Sequence, residues 1–291
     1  MSDLKRRQIL QLAAAVLLKS AEPKAAFPTV ARERLAVSTY PFRSVIKDGM
    51  TLQQFAQTVR PKLGVSGIEP WSRHFQSTEG AYLNDLSGSF QNAGLHVVNI
   101  PVDDEVHLCG SAEERAHGLP IYRNWVDAAV VLRSPSIRVH LPRGEKGEQI
   151  NCAVSAFKEL AQYGAAKNIV INLENDDPKT EEPERIVRVI QTVGSPFLRA
   201  LPDFCNSMLI HNNQAANNRE LEMLFPLAFN ISHVKDREVD NGKSYRVDLP
   251  QIFAIAKKSG YKGYFSMEWE GEGDPYTETG KLIEASLRLI G

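Results

Sequence analysis

The chain has 291 residues, of which 43% are hydrophobic and 24% are charged, a composition typical of a folded globular protein. Its 34 basic and 35 acidic residues give a net charge of −1. Proteins that bind nucleic acid through phosphate contacts usually carry a basic surplus, so this class is disfavoured. The three cysteines lie far apart without a Cys-x-x-Cys motif. We therefore expect no disulfide framework and no zinc knuckle, and at least one cysteine must stay unpaired.

Residues 1–31 differ in composition from the rest of the chain. The basic run Lys5-Arg6-Arg7 precedes a mostly apolar stretch at residues 9–18. This layout is typical of a secretory signal, and the paired arginines resemble a twin-arginine export signal. The stretch is shorter than the roughly 20 residues that span a bilayer, so we expect no stable membrane anchor.

This segment predicts export to the periplasm or beyond, with cleavage near Thr29-Val30-Ala31. We then expect residues 1–31 to be dispensable for folding. The alternative is a cytoplasmic protein whose N-terminal amphipathic helix packs on the domain.

From residue 35 onward, short β-rich runs alternate with stretches of helical periodicity. Eight strands are predicted: Leu35–Phe42, Gly67–Trp71, His96–Val102, Ser136–Pro142, Ile169–Asn175, Leu198–Phe204, Asn230–Asp236 and Gly263–Glu270. The clearest helices between and after them are Leu52–Leu63, Ala153–Tyr163, Glu184–Val193, Leu249–Ser259 and Gly280–Ile290.

Eight βα units in about 260 residues predict an α/β protein with a single-domain (β/α)₈ TIM barrel over residues 32–291. A doubly wound open sheet is the alternative, but it would normally carry a Gly-rich turn after the first strand. Arg43-Ser44-Val45 stands at that place. Prolines near several strand ends indicate where the chain leaves the sheet, which in a barrel is the face that carries the active site.

Four consecutive strands end in side chains that bind metals. Glu174, Asp203, His233 and Glu268 each lie within or directly after an apolar run. Charged side chains are rarely buried unless they are paired or bind a metal. Three carboxylates and one imidazole suit one divalent ion, Mn²⁺, Mg²⁺ or Co²⁺, with Zn²⁺ also compatible. Glu270 shares a strand face with Glu268 and is the alternative fourth ligand.

This ligand pattern resembles the xylose isomerase-like TIM barrel family, which includes sugar phosphate isomerases/epimerases and inosose dehydratase-like proteins. The resemblance covers roughly residues 35–290. It implies a metal-dependent isomerase or epimerase acting on a small carbohydrate, with Glu174 and Glu268 as the proton-transfer pair. Epimerases of the family hold substrate with a His three residues beyond the Asp ligand. Asn206 stands there instead, which puts epimerase identity in doubt.

Further side chains are candidates for the same site. Lys235 shares its strand face with His233 and is a third catalytic candidate, with a salt bridge as the structural alternative. Substrate contacts are predicted for His140, Glu69, Trp71, Asn206, Tyr40 and Trp269. The alternative role of Glu69 is to support a metal ligand from behind. The alternative role of the aromatic residues is packing in the protein core.

Proton abstraction next to a carbonyl is the first step of isomerisation, epimerisation and β-elimination. A metal-dependent lyase or hydrolase of keto-sugar glycosides is therefore one alternative function, and a non-catalytic sugar-binding barrel is another. A homo-oligomer is compatible with the sequence.

Overall fold

Eight parallel strands form the centre of the computed structural model, which describes residues 22–290 apart from residues 48, 105–107, 110 and 143–147. The strands of the barrel are β1 (Leu35–Ser38), β2 (Gly67–Glu69), β3 (His96–Val97), β4 (Ser136–Val139), β5 (Val170–Glu174), β6 (Leu198–Leu201), β7 (Ile231–Val234) and β10 (Tyr264–Met267). Each of the eight predicted strands is present, and each ends before its predicted carboxyl boundary.

The strands close into a barrel. One sheet has the order β3-β2-β1-β10-β7 and the other the order β4-β5-β6, with parallel pairing throughout. Parallel bridges Pro101–Arg138 and Asp203–His233 join the two sheets at both seams. The predicted TIM barrel is therefore confirmed, and the open-sheet alternative is wrong.

Helices surround the barrel. They are α1 (Arg43–Lys47), α2 (Leu52–Leu63), α3 (Gly80–Asn92), α4 (Ala112–Leu132), α5 (Glu148–Lys167), α6 (Pro183–Val193), α7 (Met208–His211), α8 (Gln214–Leu224), α9 (Leu249–Lys258) and α10 (Pro275–Ile290). An antiparallel hairpin of β8 (Arg237–Asp240) and β9 (Lys243–Arg246) follows β7. None of the helices in the described part of the chain is long and apolar enough to cross a membrane.

Helix α2 shows how local sequence fixes an element. The Thr51 side chain accepts from the Gln54 N–H, and the Gln54 side chain accepts from the Thr51 N–H, which forms a capping box. Gly64, with φ of 65°, ends the helix in the left-handed conformation. Phe55 and Val59 on one face are fully buried against the barrel.

The barrel interior has an apolar amino-terminal end. Ala36, Ile231 and Tyr264 belong to a small buried cluster there, against which Phe27 packs. The Phe27 ring meets that of Tyr264 with a centroid distance of 6.1 Å. Residues of the segment before Arg32 thus contact the barrel, although the predicted barrel domain begins at Arg32. Residues 1–21 lie outside the described residues.

One disulfide joins a loop of the barrel to a helix. Cys109, in the loop after β3, is bonded to Cys152 near the start of α5, and Cys205 is free and buried. The expectation of no disulfide framework did not anticipate this bond. Cysteines 43 residues apart in sequence lie side by side here because both follow neighbouring strands.

Candidate metal centre and active-site cavity

The carboxyl ends of four strands bring together the four predicted metal ligands. Glu174 ends β5, Asp203 follows β6, His233 lies in β7 and Glu268 follows β10. All four side chains are buried, and one ligand atom from each lies within 4.8 Å of the others. Successive side chains of a strand point to opposite faces of the sheet. Each of the four residues stands at a position whose side chain points into the barrel.

The donor atoms of this cluster fit a divalent cation. His233 Nδ1 lies 2.6 Å from Glu174 Oε1 and 3.2 Å from Glu268 Oε2. Glu174 Oε2 and Asp203 Oδ2 are buried without a hydrogen-bond donor among the described residues. Their nearest cations are Arg138 Nε at 3.0 Å and Lys235 Nζ at 3.8 Å. Buried carboxylate oxygens without donors are costly, so a bound cation would satisfy them.

Burial and neighbouring charges act against each other in the cluster. Burial raises the pKa of Glu268, but His233 and Lys235 outweigh it and lower that pKa. Burial raises the pKa of Asp203 to about 7, although Lys235 opposes the shift. It also raises the pKa of Glu174 against the opposing charges of His233 and Arg138. Burial alone would lower the pKa of His233, but the carboxylates of Glu174, Glu268 and Glu69 outweigh it and raise that pKa well above its usual range. The carboxylates therefore require positive charge, which a divalent ion would supply.

Glu69 lies behind the cluster. Its two carboxylate oxygens are each 3.0 Å from His233 Nε2, and its Oε1 accepts from the Asn99 side chain at 2.7 Å. The residue is fully buried and does not line the cavity above the cluster. Glu69 was predicted as a substrate contact, and its contacts are those of a residue that orients His233.

A cavity of about 310 Å³ opens above the cluster, large enough for a small carbohydrate. Tyr40 and Trp71 form one wall, with their rings edge to face and centroids 5.0 Å apart. The Trp71 indole donates to Asp103, so its ring is held in place. Both residues, predicted as substrate contacts, thus line the cavity.

Lys235 and Asn206 line the cavity beside the cluster. The Lys235 ammonium lies 3.4 Å from Glu268 Oε2 and 2.9 Å from Glu238 Oε2, and it donates to Asn206 Oδ1 at 3.1 Å. The predicted salt bridge with a rim carboxylate is therefore present. The ammonium still borders the cavity, where it can meet a substrate oxygen.

A charged network forms the cavity wall next to β4; of its members only His140 was predicted, as a substrate contact, and it lines the cavity. Arg138 pairs with Asp103 and reaches Glu174, while His140 lies 2.9 Å from Asp103 and 3.1 Å from Glu181. Burial and Arg138 lower the pKa of His140, but Glu181 and Asp103 outweigh them and raise it to about 10. The detectable signal was Arg138 itself, an arginine in an apolar strand on the same face as His140.

Two predicted positions lie away from this centre. Trp269 is buried but does not line the cavity. Glu270 lines the cavity but is not in the cluster, and its carboxylate pairs with Arg43 at 3.2 Å. The structure therefore favours Glu268 over Glu270 as the fourth ligand.

Comparison with known proteins places this barrel in a family. The model of the xylose isomerase-like TIM barrel matches residues 61–290. The chain belongs to this family. The match includes the cluster of Glu174, Asp203, His233 and Glu268, so the resemblance inferred from these residues is confirmed at family level.

Individual relatives are more distant. A human protein named "Putative hydroxypyruvate isomerase" is 26% identical over 110 residues, which are 36% of this chain and 38% of that protein. A xylose isomerase-like TIM barrel protein from Mycobacterium smegmatis in complex with magnesium is 17% identical, with a TM-score of 0.69 over 88% of this chain and 96% of that chain. D-allulose 3-epimerase from Methylomonas sp. in complex with D-allulose is 16% identical, with a TM-score of 0.70 over 91% and 99% of the two chains. The two solved structures share the fold of this chain.

Proposed function

We propose that the protein is a divalent-metal-dependent isomerase or epimerase that abstracts the proton next to the carbonyl of a keto-sugar or polyol-derived ketone. The observation that carries the proposal is the buried cluster of Glu174, Asp203, His233 and Glu268 at the floor of the cavity. Two of its carboxylate oxygens have no hydrogen-bond donor among the described residues, as expected of metal ligands.

The chain's own groups can carry the proton transfers. A divalent ion bound by the cluster would polarise the substrate carbonyl and acidify the adjacent C–H. The Glu174 and Glu268 carboxylates both border the cavity, so one can remove that proton and the other can return a proton to the enediolate, on the opposite face of the same carbon in an epimerisation or on the adjacent carbon in an isomerisation. Lys235 is placed to stabilise negative charge on a substrate oxygen.

The relatives support this class of reaction. The Methylomonas protein is named as a D-allulose 3-epimerase, and the human protein is named as a putative isomerase of hydroxypyruvate. The Mycobacterium smegmatis structure contains magnesium. Mn²⁺, Mg²⁺ and Co²⁺ suit the oxygen-rich ligand set, and Zn²⁺ is compatible with it.

Proton exchange in D₂O tests the proposal. The purified full chain is loaded with Mg²⁺ or Mn²⁺ and incubated with a panel of keto-sugars, and the products are read by NMR. We expect metal-dependent loss of the α-proton signal of at least one ketone and the appearance of an isomer or epimer. Tight metal binding without exchange on any ketone would leave a non-catalytic sugar-binding barrel as the better description.

Elimination is the second candidate, and the position of Lys235 favours it. Its ammonium borders the cavity 3.4 Å from Glu268, where it can protonate a departing oxygen once the α-proton has been removed. A lyase or hydrolase of keto-sugar glycosides would use this arrangement. The same NMR experiment with a keto-glycoside would show release of the aglycone instead of an epimer.

We also propose that the chain is exported. The basic and apolar pattern at residues 5–18 suggests it, and the Cys109–Cys152 disulfide supports it because such bonds persist in oxidising compartments. Cleavage before Lys24 would retain the contacts of Phe27 with the barrel, whereas cleavage after Ala31 would remove them. Cell fractionation with N-terminal sequencing of the mature protein tests both points, and cytoplasmic retention would contradict export.

A further inference from the structure

The cavity above the metal cluster is acidic. Eight acidic and three basic side chains line it among the described residues, and a divalent ion would reduce this excess without removing it. The acidic residues are Asp103, Glu174, Asp176, Asp177, Glu181, Glu238, Glu268 and Glu270. The basic residues are Arg138, His140 and Lys235.

Each basic group of the cavity is already engaged by carboxylates. Arg138 is paired with Asp103 and Glu174. His140 lies between Asp103 and Glu181, at 2.9 and 3.1 Å. An anionic substrate would have to displace these partners and leave buried carboxylates uncompensated, which costs more than a new ion pair returns.

The same holds for Lys235, which is held by three carboxylates. Its ammonium lies 2.9 Å from Glu238, 3.4 Å from Glu268 and 3.8 Å from Asp203. Each cation of the described cavity lining therefore already has carboxylate partners, with which a phosphate group would have to compete.

The loops that often hold phosphate in TIM barrels carry acidic residues here. That position lies after the seventh and eighth barrel strands, which are β7 and β10 in this chain. Glu238 follows β7 and Glu270 follows β10, and both line the cavity. A phosphate at this place would meet two carboxylates whose nearby cations, Lys235 and Arg43, are already paired with them.

Carboxylates suit uncharged hydroxyl groups instead. An ionised carboxylate accepts hydrogen bonds and donates none, so it complements the O–H donors of a sugar. Asp176, with a side chain 42% exposed, and Glu238 both line the cavity, where their carboxylates can accept hydrogen bonds from such hydroxyls.

Building on the proposed function, we propose that the cavity selects uncharged keto-sugars and rejects both sugar phosphates and ketones that carry a carboxylate. The proposal separates this chain from a hydroxypyruvate isomerase, whose substrate is an anion. The acidic lining sets this selectivity.

Calorimetric titration of the Mg²⁺-loaded full chain with matched ligands tests the selectivity. The pairs are D-fructose against D-fructose 6-phosphate, and dihydroxyacetone against hydroxypyruvate. No free Mg²⁺ is added in excess, because phosphates chelate it. We expect each charged ligand to bind at least about tenfold more weakly than its neutral partner. The ratio of the two Kd values should decrease at high salt, because screening weakens the repulsion between the ligand and the carboxylates.

A charge-reversal pair locates the source of the selectivity. Asp176→Lys should reduce the ratio of the Kd of D-fructose 6-phosphate to the Kd of D-fructose by at least about threefold. Glu284→Lys makes the same change on α10, where Glu284 pairs with Arg32 at 3.0 Å outside the cavity, and should leave the ratio unchanged. An equal shift in both variants would assign the effect to net charge and overturn the role of the cavity lining.

Binding and exchange together separate this inference from the proposed function. Neutral preference without α-proton exchange would retain the inference and reject the isomerase. Exchange that proceeds equally on neutral and phosphorylated ketones would retain the isomerase and overturn the inference. Failure of both neutral ketones to bind would also overturn it.

Discussion

At the scale of single residues, the contacts of His233 decide which nitrogen can bind a metal. Its Nε2 faces the Glu69 carboxylate at 3.0 Å, while its Nδ1 faces Glu174 and Glu268. A neutral ring that donates Nε2–H to Glu69 presents the Nδ1 lone pair to the ligand cluster. Carboxylates in this role orient the ring and raise its basicity.

Glu69→Gln should therefore weaken metal binding without abolishing it. We expect a loss of about 10–100-fold in Mg²⁺ or Mn²⁺ affinity, the range typical of groups that support a ligand histidine. Competition with a fluorescent chelator measures it. Glu220→Gln is a matched control, because Glu220 is also buried and lies 2.6 Å from His211 Nε2, outside the cavity. Equal metal affinity in both variants would show that Glu69 has no such role.

Glu174 and Glu268 combine metal binding with the proposed proton transfers, and Gln variants separate the two roles. Glu→Gln retains the shape and one oxygen ligand but removes the base. We expect each variant to keep measurable metal affinity and to lose turnover by about 10²–10⁴-fold, as expected for general acid–base groups.

The two variants should also differ in D₂O. One should still exchange the α-proton of the substrate, because the first abstraction survives, and the other should not. Full turnover of both with metal bound would reduce the glutamates to ligands. Lys235 or His140 would then be the candidate base, and elimination would become the better proposal.

At the scale of elements, the disulfide links the loop after β3 to the start of α5. The loop after β3 contains Asp103, which belongs to the charged wall of the cavity. The bond closes a sequence separation of 43 residues, which contains all of helix α4. It restricts the unfolded chain and ties two neighbouring βα units together.

Loss of this bond should lower stability by about 2–4 kcal/mol. The C109S/C152S variant should show a reduced denaturation midpoint in urea, with a slope no smaller than that of the wild type because its unfolded chain is less compact. Adding a reductant should shift the wild-type midpoint to that of the variant and leave the variant itself unchanged. A wild-type midpoint that does not respond to complete reduction would contradict a stabilising role.

The elements that the sequence predicted are those with a clear period or cap. Helix α2 has both its apolar face and its capping box in the sequence, and its predicted bounds agree with the structure. The sequence did not predict helix α4, because Pro120 lies inside it and proline is disfavoured in helix interiors. The β8–β9 hairpin was also missed, since its residues are mostly exposed and carry little apolar pattern.

At the scale of the whole molecule, the barrel interior changes in polarity from one end to the other. The amino-terminal end is apolar, and a middle layer of buried polar side chains separates it from the metal cluster. The members of that layer include Asn99, Ser136, Asn172 and Asn230, which hydrogen-bond to one another. Along this gradient the buried carboxylates and cations of the described barrel residues lie at the carboxyl ends of the strands, which is the face that can carry chemistry.

The sequence predicted the cluster and part of the cavity lining, but not the loop residues of the charged wall. Each ligand ends an apolar strand, so alternation alone was enough to align Glu174 with His233 and Glu268. The charged wall of Asp103 and Glu181 comes from loops, where no periodicity indicates which way a side chain points. Contacts between residues far apart in sequence, such as Lys24 with Asn168, leave no local pattern either.

The amino-terminal segment covers the end of the barrel opposite the cluster. Phe27 packs edge to face on Phe229 and Tyr264, with centroid distances of 5.4 and 6.1 Å. The Lys24 main chain donates to the Asn168 side chain at 2.9 Å and accepts from it at 3.0 Å. These contacts bury apolar surface of the barrel that would otherwise face water.

Two shortened chains test what this segment contributes. A chain that begins at Glu22 should have the same melting temperature as the full-length protein. A chain that begins at Arg32 should lose about 2 kcal/mol of unfolding free energy, because burial of a large apolar side chain contributes about 1.5–3 kcal/mol. At roughly 2–4 °C per kcal/mol, Tm should fall by about 4–8 °C. Phe27→Ala in the longer of the two should account for most of the difference. Metal affinity should be the same in the two shortened chains and the Phe27→Ala variant, because the ligands lie at the opposite end of the barrel.

Identical melting temperatures of the two shortened chains would show that residues 22–31 add no stability. Loss of metal binding from the chain that begins at Arg32 would mean that this segment orders the whole barrel.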